Sequence, residues 1–267
     1  MSKVILITGA SSGIGKITAG HLSSKGFKVY GTSRNPKPDK SDDFTLLKLD
    51  LHDKVSIEKA IEFVKSKEGR LDVVINNAGM GITGPIEETE TEEMRKAFET
   101  NFFGAIEVMK AVLPVMREQK KGVIINVTSI AGYMGLPFRG IYSAAKGALE
   151  LVTESVSMEV KAFGIKVVNV APGDFATNIA SGRYHSPVIK DSVYAPVYEN
   201  NLDLMNDHVN KGQDPIEMAE KIYRIINDSS PKLHYKVGES MQKFSIALKR
   251  ILPDRFYEKL IMKYYGM

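Results

Sequence analysis

The chain has 267 residues, 43% hydrophobic and 25% charged, enough to bury a substantial core and too balanced for a disordered or low-complexity protein. It has no cysteine, which excludes disulfides, zinc–thiolate and iron–sulfur sites and a cysteine nucleophile, and suits a reducing, cytoplasmic setting. The net charge of +4 is too small to suggest nucleic acid, and the opening MSKVILITG reads as a strand and not a signal peptide.

Short β-branched runs alternate with stretches of helical period. Strands are predicted over Lys3–Thr8, Phe27–Thr32, Thr45–Leu49, Asp72–Asn76, Val123–Val127, Ile165–Val170 and His234–Val237. Helices are predicted over Gly13–Lys25, Val55–Lys67, Glu90–Glu118, Ile141–Phe163 and Pro215–Ile226. Runs such as Val4–Ile5–Leu6–Ile7 are apolar on both faces, as strands covered by helices on both sides must be. The expected fold is therefore α/β, a doubly wound parallel sheet in a single domain spanning 1–267. The irregular stretch from Pro172 to Gln213 follows a parallel strand's carboxyl end, so it is expected to be a substrate lid. Residues 239–267 form a C-terminal extension.

Directly after the first predicted strand stands Thr8-Gly9-Ala10-Ser11-Ser12-Gly13-Ile14-Gly15. Glycines at 9, 13 and 15 permit a tight turn and close backbone approach to a pyrophosphate, and the following helix offers free N–H groups to its oxygens. The spacing is GxxxGxG, not the GxGxxG fingerprint, and an ordinary strand–helix turn could also look like this.

With these residues in view, the sequence resembles the compact branch of the short-chain dehydrogenase/reductase family. Thr8–Gly15 is similar to its cofactor loop, and Asn76-Asn77-Ala78-Gly79 to its motif after the fourth strand. Asn101, Ser129, Tyr142 and Lys146 match its catalytic tetrad, and Pro172-Gly173 with Thr177 its nicotinamide-side motif. The resemblance implies a Rossmann fold, a nicotinamide cofactor, hydride transfer to or from a ketone or secondary alcohol, and a homodimer or homotetramer. It also implies that Asn101 sits at a helix irregularity holding a water between Lys146 and solvent, and that Asp50 and Leu51 lie along the adenine.

Part of the tetrad can be argued from the residues. Tyr142 and Lys146 are four apart in a helical segment and share a face. A free tyrosine is too weak an acid to act as a base at neutral pH, but a neighbouring ammonium and the positive charge of an oxidised nicotinamide favour its phenolate. Tyr142 then suits proton exchange with a carbonyl or alcohol oxygen, and Ser129 can donate a hydrogen bond to that oxygen. Each residue alone also has a plain explanation: a half-buried aromatic beside a solvated lysine, or a serine capping a turn. The five histidines show no metal-ligand spacing, so no metal is expected.

Sites of this architecture that bind NAD place an acidic residue at the end of the second strand. Here that slot is Ser33, followed by Arg34, which can hold a 2′-phosphate; Ser11 or Ser12 can add a hydroxyl. NADP(H) is therefore expected over NAD. The lid carries Phe175, Tyr184, Val188, Ile189 and Tyr198, and the tail carries Phe244, Leu248, Ile251, Phe256, Leu260 and Tyr264 at helical spacing. From Pro231 onward there are eight Lys/Arg against three Asp/Glu. The tail stripe is expected either to pack on the core or to meet an anionic membrane surface. A small-molecule substrate that is bulky and apolar, such as a steroid, retinoid or long-chain lipid, would match the lid and tail. Two alternatives share these residues: a 3-oxoacyl-carrier-protein reductase-like enzyme, whose relatives end soon after the last strand, and a non-catalytic NADP-binding redox sensor, which would not need Ser129, Tyr142 and Lys146.

Overall fold

In the computed structural model, which describes residues 2–37, 43–176 and 182–267 (208–210 by backbone alone), the run Val4–Ile7 forms strand β1 with all its side chains buried. There follow α1 (Gly13–Ser24), β2 (Lys28–Ser33), β3 (Thr45–Lys48), α2 (Lys54–Glu68), β4 (Val73–Asn76) and the short β5 (Ile82–Thr83). Asp53 caps α2 by accepting the Val55 N–H at 2.9 Å. Helix α3 (Thr91–Phe98) runs through a π-helical turn at Glu99–Phe103 into α4 (Gly104–Glu118). Next come β6 (Gly122–Val127), a 3₁₀ turn at Ile130–Tyr133, α5 (Gly140–Glu159) and β7 (Ile165–Pro172). The remainder holds β8 (Tyr184–His185), α6 (Ala195–Asn210), α7 (Ile216–Asn227), β9 (His234–Val237), α8 (Ser240–Ile251) and α9 (Asp254–Tyr264).

All seven predicted strands join one sheet in the order β3-β2-β1-β4-β6-β7-β9, with every pair parallel. Alternation along β1 sends Val4 and Leu6 into a core with Ile57, Val108, Val112 and Leu149 from α2, α4 and α5. Ile5 and Ile7 enter a second core with Leu22 from α1 and Ile222 and Ile225 from α7. The chain leaves β1 toward β2 on one side and resumes at β4 on the other, so the carboxyl ends of β1 and β4 open a crevice where such sheets take ligands.

Two expectations need correction. The stretch 172–213 is not irregular throughout: Tyr184–His185 pairs in parallel with Ile82–Thr83, and α6 occupies much of the rest. The tail is helical, but of the stripe read from its spacing only Leu248 packs against a core. Phe244, Ile251, Phe256, Leu260 and Tyr264 are exposed, whereas Ile246 and Tyr257 close a small core with Ile130 and Met134. Pro253, between α8 and α9, breaks the helical register, so the spacing on either side of it does not define a common face. Among the described residues no helix is long and apolar enough to cross a membrane.

Candidate active site

The turn after β1 is tied to the turn after β4. Thr8 Oγ1 accepts the backbone N–H groups of Asn77 and Ala78, each at 3.0 Å, and Asn77 Nδ2 donates back to the carbonyls of Thr8 and Gly9 at 3.0 and 3.2 Å. Gly9 stands at φ +67 and its Cα lies so close to Ala78 that a Cβ there would come within 2.8 Å of the Ala78 Cα, so only glycine fits. Beyond this turn α1 begins at Gly13 after Ser12, whose side chain makes no capping bond. The first N–H groups of the helix thus face a cleft of about 470 Å³.

That cleft is lined by Gly9, Ser11, Ser12, Gly13, Ile14, Gly15, Ser33, Arg34, Asp50, Leu51, Asn77, Ala78, Gly79, Asn101, Tyr142, Lys146 and Pro172, nearly the whole set expected from the sequence. Ser129 and Gly173 are not part of the lining, and Thr177 lies outside the described residues. Thr8, Asn35, His52, Thr100 and Gly182 also line it; of these, Thr8 belongs to the glycine motif, while His52 and Thr100 meet only through a side-chain hydrogen bond of 2.8 Å across the fold. The cradle fits a dinucleotide: a turn opened by Gly9, Gly13 and Gly15, free N–H groups on α1, and an exposed arginine at the end of β2 with no ion pair among the described residues.

Helix α5 presents Tyr142 and Lys146 on one face, with the Lys146 Nζ 6.0 Å from the tyrosine ring centroid. Lys146 is buried and donates to the Val127 carbonyl at 3.0 Å; burial pushes its amine down to about 8. Behind these residues, buried Asn126 bridges β6 to α5 by donating to Thr153 Oγ1 at 2.8 Å, and it accepts from Asn76 at 2.8 Å. These buried hydrogen bonds fix the helix against the sheet.

Asn101 lies inside the π-helical turn, where the Gly104 N–H reaches the Glu99 carbonyl five residues back. Its side chain donates to Met80 and Ala97 carbonyls at 2.8 and 3.0 Å and accepts the Met80 N–H at 3.1 Å. Gly79 is wedged between it and the lysine: a Cβ there would meet Asn101 Oδ1 at 2.8 Å and Lys146 Nζ at 3.3 Å. Ser129 accepts the Ala131 N–H at 3.1 Å and caps the 3₁₀ turn. The cap uses an oxygen lone pair, which leaves the hydroxyl proton free to donate.

Two basic residues near Tyr142 were not legible beforehand. Arg139, just before α5, places its guanidinium 5.5 Å from the Tyr142 ring centroid, and Arg183 directly precedes β8, next to Gly182, which lines the cleft with Tyr142. Nothing in their local sequence marks them. The fold also gathers Glu150, Glu154 and His234. There Nδ1 of His234 faces Glu150 at 3.4 Å and Nε2 faces Glu154 at 3.2 Å, so each ring nitrogen is turned to its own carboxylate, whereas a metal would take only one.

The fold and this cleft define a nucleotide-binding oxidoreductase of the doubly wound α/β class. Residues 3–186 match the short chain dehydrogenase family. Over 266 residues the chain is 40% identical to a 3-ketodihydrosphingosine reductase of Bacteroides thetaiotaomicron, covering 99% of this chain and 98% of that protein. It is 30% identical over 272 residues to an NADPH-dependent 3-dehydrocapnine reductase of Ornithobacterium rhinotracheale, covering 97% and 95%. A short-chain dehydrogenase of Streptomyces avermitilis superposes with a TM-score of 0.85 at 31% identity, over 97% of this chain and 96% of that one. The chain belongs to the short-chain dehydrogenase family and is an oxidoreductase acting on CH–OH or C=O groups.

Proposed function

We propose that the chain is an NADP(H)-dependent reductase of a long-chain, lipid-like ketone, with Tyr142 as proton donor. The observation that carries this reading is the pairing of a buried Lys146 with Tyr142 at the mouth of a dinucleotide cradle that ends in Arg34. Bound reduced nicotinamide supplies the hydride. Tyr142 gives its hydroxyl proton to the carbonyl oxygen, and Ser129, its oxygen held by Ala131, donates a hydrogen bond to the same atom. Lys146 keeps positive charge beside the phenolate that Tyr142 becomes. Asn101, in its π-helical turn, and Gly79 close one side of the amine. Arg34 takes the 2′-phosphate. The Ornithobacterium relative is NADPH-dependent, and both curated relatives are named for reduction of a 3-keto or 3-dehydro compound, which supports the direction and the substrate class.

The test is a homologous series of alkyl ketones assayed with NADPH. Each added methylene that the pocket accommodates contributes ~0.8 kcal/mol, about fourfold in kcat/KM. A flat response, or a preference for short polar carbonyls, would remove the lipid-like substrate and leave the reductase standing.

The C-terminal helices favour one further partner. Phe244 and Ile251 are exposed beside Lys243 and Arg250 on α8, and Phe256, Leu260 and Tyr264 beside Lys259 and Lys263 on α9, two amphipathic faces of the composition that lies on anionic lipid. Co-sedimentation with vesicles of phosphatidylglycerol but not phosphatidylcholine is the expected outcome. Self-association through exposed Leu151 and Met158 on α5 is proposed for the homodimer or homotetramer, and light scattering reads it directly.

A further inference from the structure

Arg183 is the least satisfied cation near the reacting residues. Its Nη1 is buried and has no hydrogen-bond partner among the described residues. Burial and the nearby Arg139 both push its guanidinium below the usual arginine range. Asp174, whose Oδ2 accepts from Gln242 Nε2 at 2.7 Å, favours the charged guanidinium but does not outweigh burial and Arg139. Arg139 thus stands beside Tyr142 with Arg183 acting on both, and among the described residues neither arginine forms an ion pair. Holding like charges together in a partly desolvated place is unfavourable unless an anion joins them.

Both arginines are held by local structure. Arg183 is fixed by the pairing of β8 with β5, and Gly81 lies beneath its stem, since a Cβ there would come within 2.7 Å of the Arg183 Cγ. Arg139 follows Phe138, which adopts φ +56, a left-handed conformation disfavoured in a bulky residue. That conformation is held by the Gly84 N–H, which donates to the Phe138 carbonyl at 2.9 Å, and by the Phe138 ring against Tyr198 at 5.2 Å. Strain maintained at this point aims the next residue at Tyr142.

We propose that Arg183 and Arg139 form an anion-binding subsite beside Tyr142, taking a carboxylate, sulfonate or phosphate that the substrate carries within a few bonds of its carbonyl. The proposal rests on the reductase reading above and narrows its substrate class. An alkyl chain bearing an anionic head would place its head on the guanidiniums and its carbonyl at Tyr142. Bidentate geometry suits arginine for all three anions.

The experiment has a binding arm and a turnover arm. Calorimetry on the NADP⁺-loaded protein compares octane-1-sulfonate with octan-1-ol. The sulfonate is expected to bind about tenfold or more tightly than the alcohol, with the advantage lost in Arg183→Met and partly kept in Arg183→Lys. In turnover, a long-chain 4-oxo acid is expected to exceed its methyl ester in kcat/KM by a similar factor, with the same dependence on Arg183. Equal affinity for sulfonate and alcohol in the native chain overturns the subsite. So does a sulfonate advantage that Arg183→Met leaves intact. Loss of NADP⁺ affinity in Arg183→Met with the sulfonate-to-alcohol ratio unchanged assigns the arginine to the cofactor's phosphates and likewise overturns it. If the sulfonate binds through Arg183 but neither ketone is reduced, the subsite stands and the reductase reading fails.

Discussion

Thr8 and Asn77 exchange hydrogen bonds in both directions, the Asn77 N–H to Thr8 Oγ1 at 3.0 Å and Asn77 Nδ2 to the Thr8 carbonyl at 3.0 Å. One hydroxyl thereby joins the glycine turn after β1 to the turn after β4, and the crevice between them keeps a fixed width. Thr8→Val keeps the shape of the side chain but strands the Asn77 and Ala78 N–H groups. It is expected to cost about 2 kcal/mol, roughly 4–8 °C in Tm for a chain of this size, and to weaken NADPH binding. Thr8→Ser should restore both. Scanning calorimetry and NADPH fluorescence titration check this, and an unchanged Tm in Thr8→Val would show that the hydroxyl does not hold the turns.

Tyr142→Phe removes the proton donor and little else. NADPH affinity is expected to persist while kcat falls by ~10²–10⁴-fold or more. Lys146→Ala should lower both, and Ser129→Ala mainly kcat, with some added loss of stability because the Ala131 N–H then lacks its cap. Near-native turnover in Tyr142→Phe on a verified ketone would exclude this chemistry.

Lys146 gives the cofactor-free protein a pH signature. An unfolded lysine keeps its proton to the ordinary 10.5, whereas burial brings the folded value to about 8. Below about 8 both states are protonated and the folded state carries the full cost of a buried ammonium. Between about 8 and 10.5 the unfolded chain binds more protons, so this group makes stability rise with pH. Lys146→Met, inactive by design, is expected to be more stable than the native chain at pH 7 by about 1–3 kcal/mol. The gain should fade as the pH approaches 10.5. Urea unfolding at several pH values measures it, and a difference independent of pH would refute the assignment.

Arg34 is exposed at the end of β2 on the rim of the cleft. A charged hydrogen bond to the 2′-phosphate is worth ~1.5–3 kcal/mol. Arg34→Ala is therefore expected to reduce the NADPH-over-NADH ratio of kcat/KM about tenfold to hundredfold, mostly through the NADPH value. An unchanged ratio would assign the discrimination elsewhere.

The local features of the chain were legible because their physics is local. Val4–Ile7 could only be a strand buried on both faces, the glycines after it could only make a close turn, and Tyr142 and Lys146 share a helix face by spacing alone. Helix α6 was missed because its inward positions include Asn201 beside Tyr198 and Met205. Asn201 is buried through hydrogen bonds to the Val197 and Tyr265 carbonyls, and a polar residue at a core position breaks the apolar period that marks a helix.

The sequence by itself determined the strands, the glycine turn and the pattern of candidate reacting side chains, since each depends on neighbours a few residues away or on a motif in fixed order. Only the tertiary structure decided which tail residues pack and which stay in solvent, because the Ile130 and Met134 side chains that Ile246, Leu248 and Tyr257 cover come from a turn more than a hundred residues away in sequence. It alone brought Gly79 against Lys146, and Arg183 beside Arg139 at Tyr142. Those approaches are made by β4, β5, β8 and α5 crossing at one end of the sheet, and no local preference of an arginine or a glycine encodes what a distant strand will set beside it.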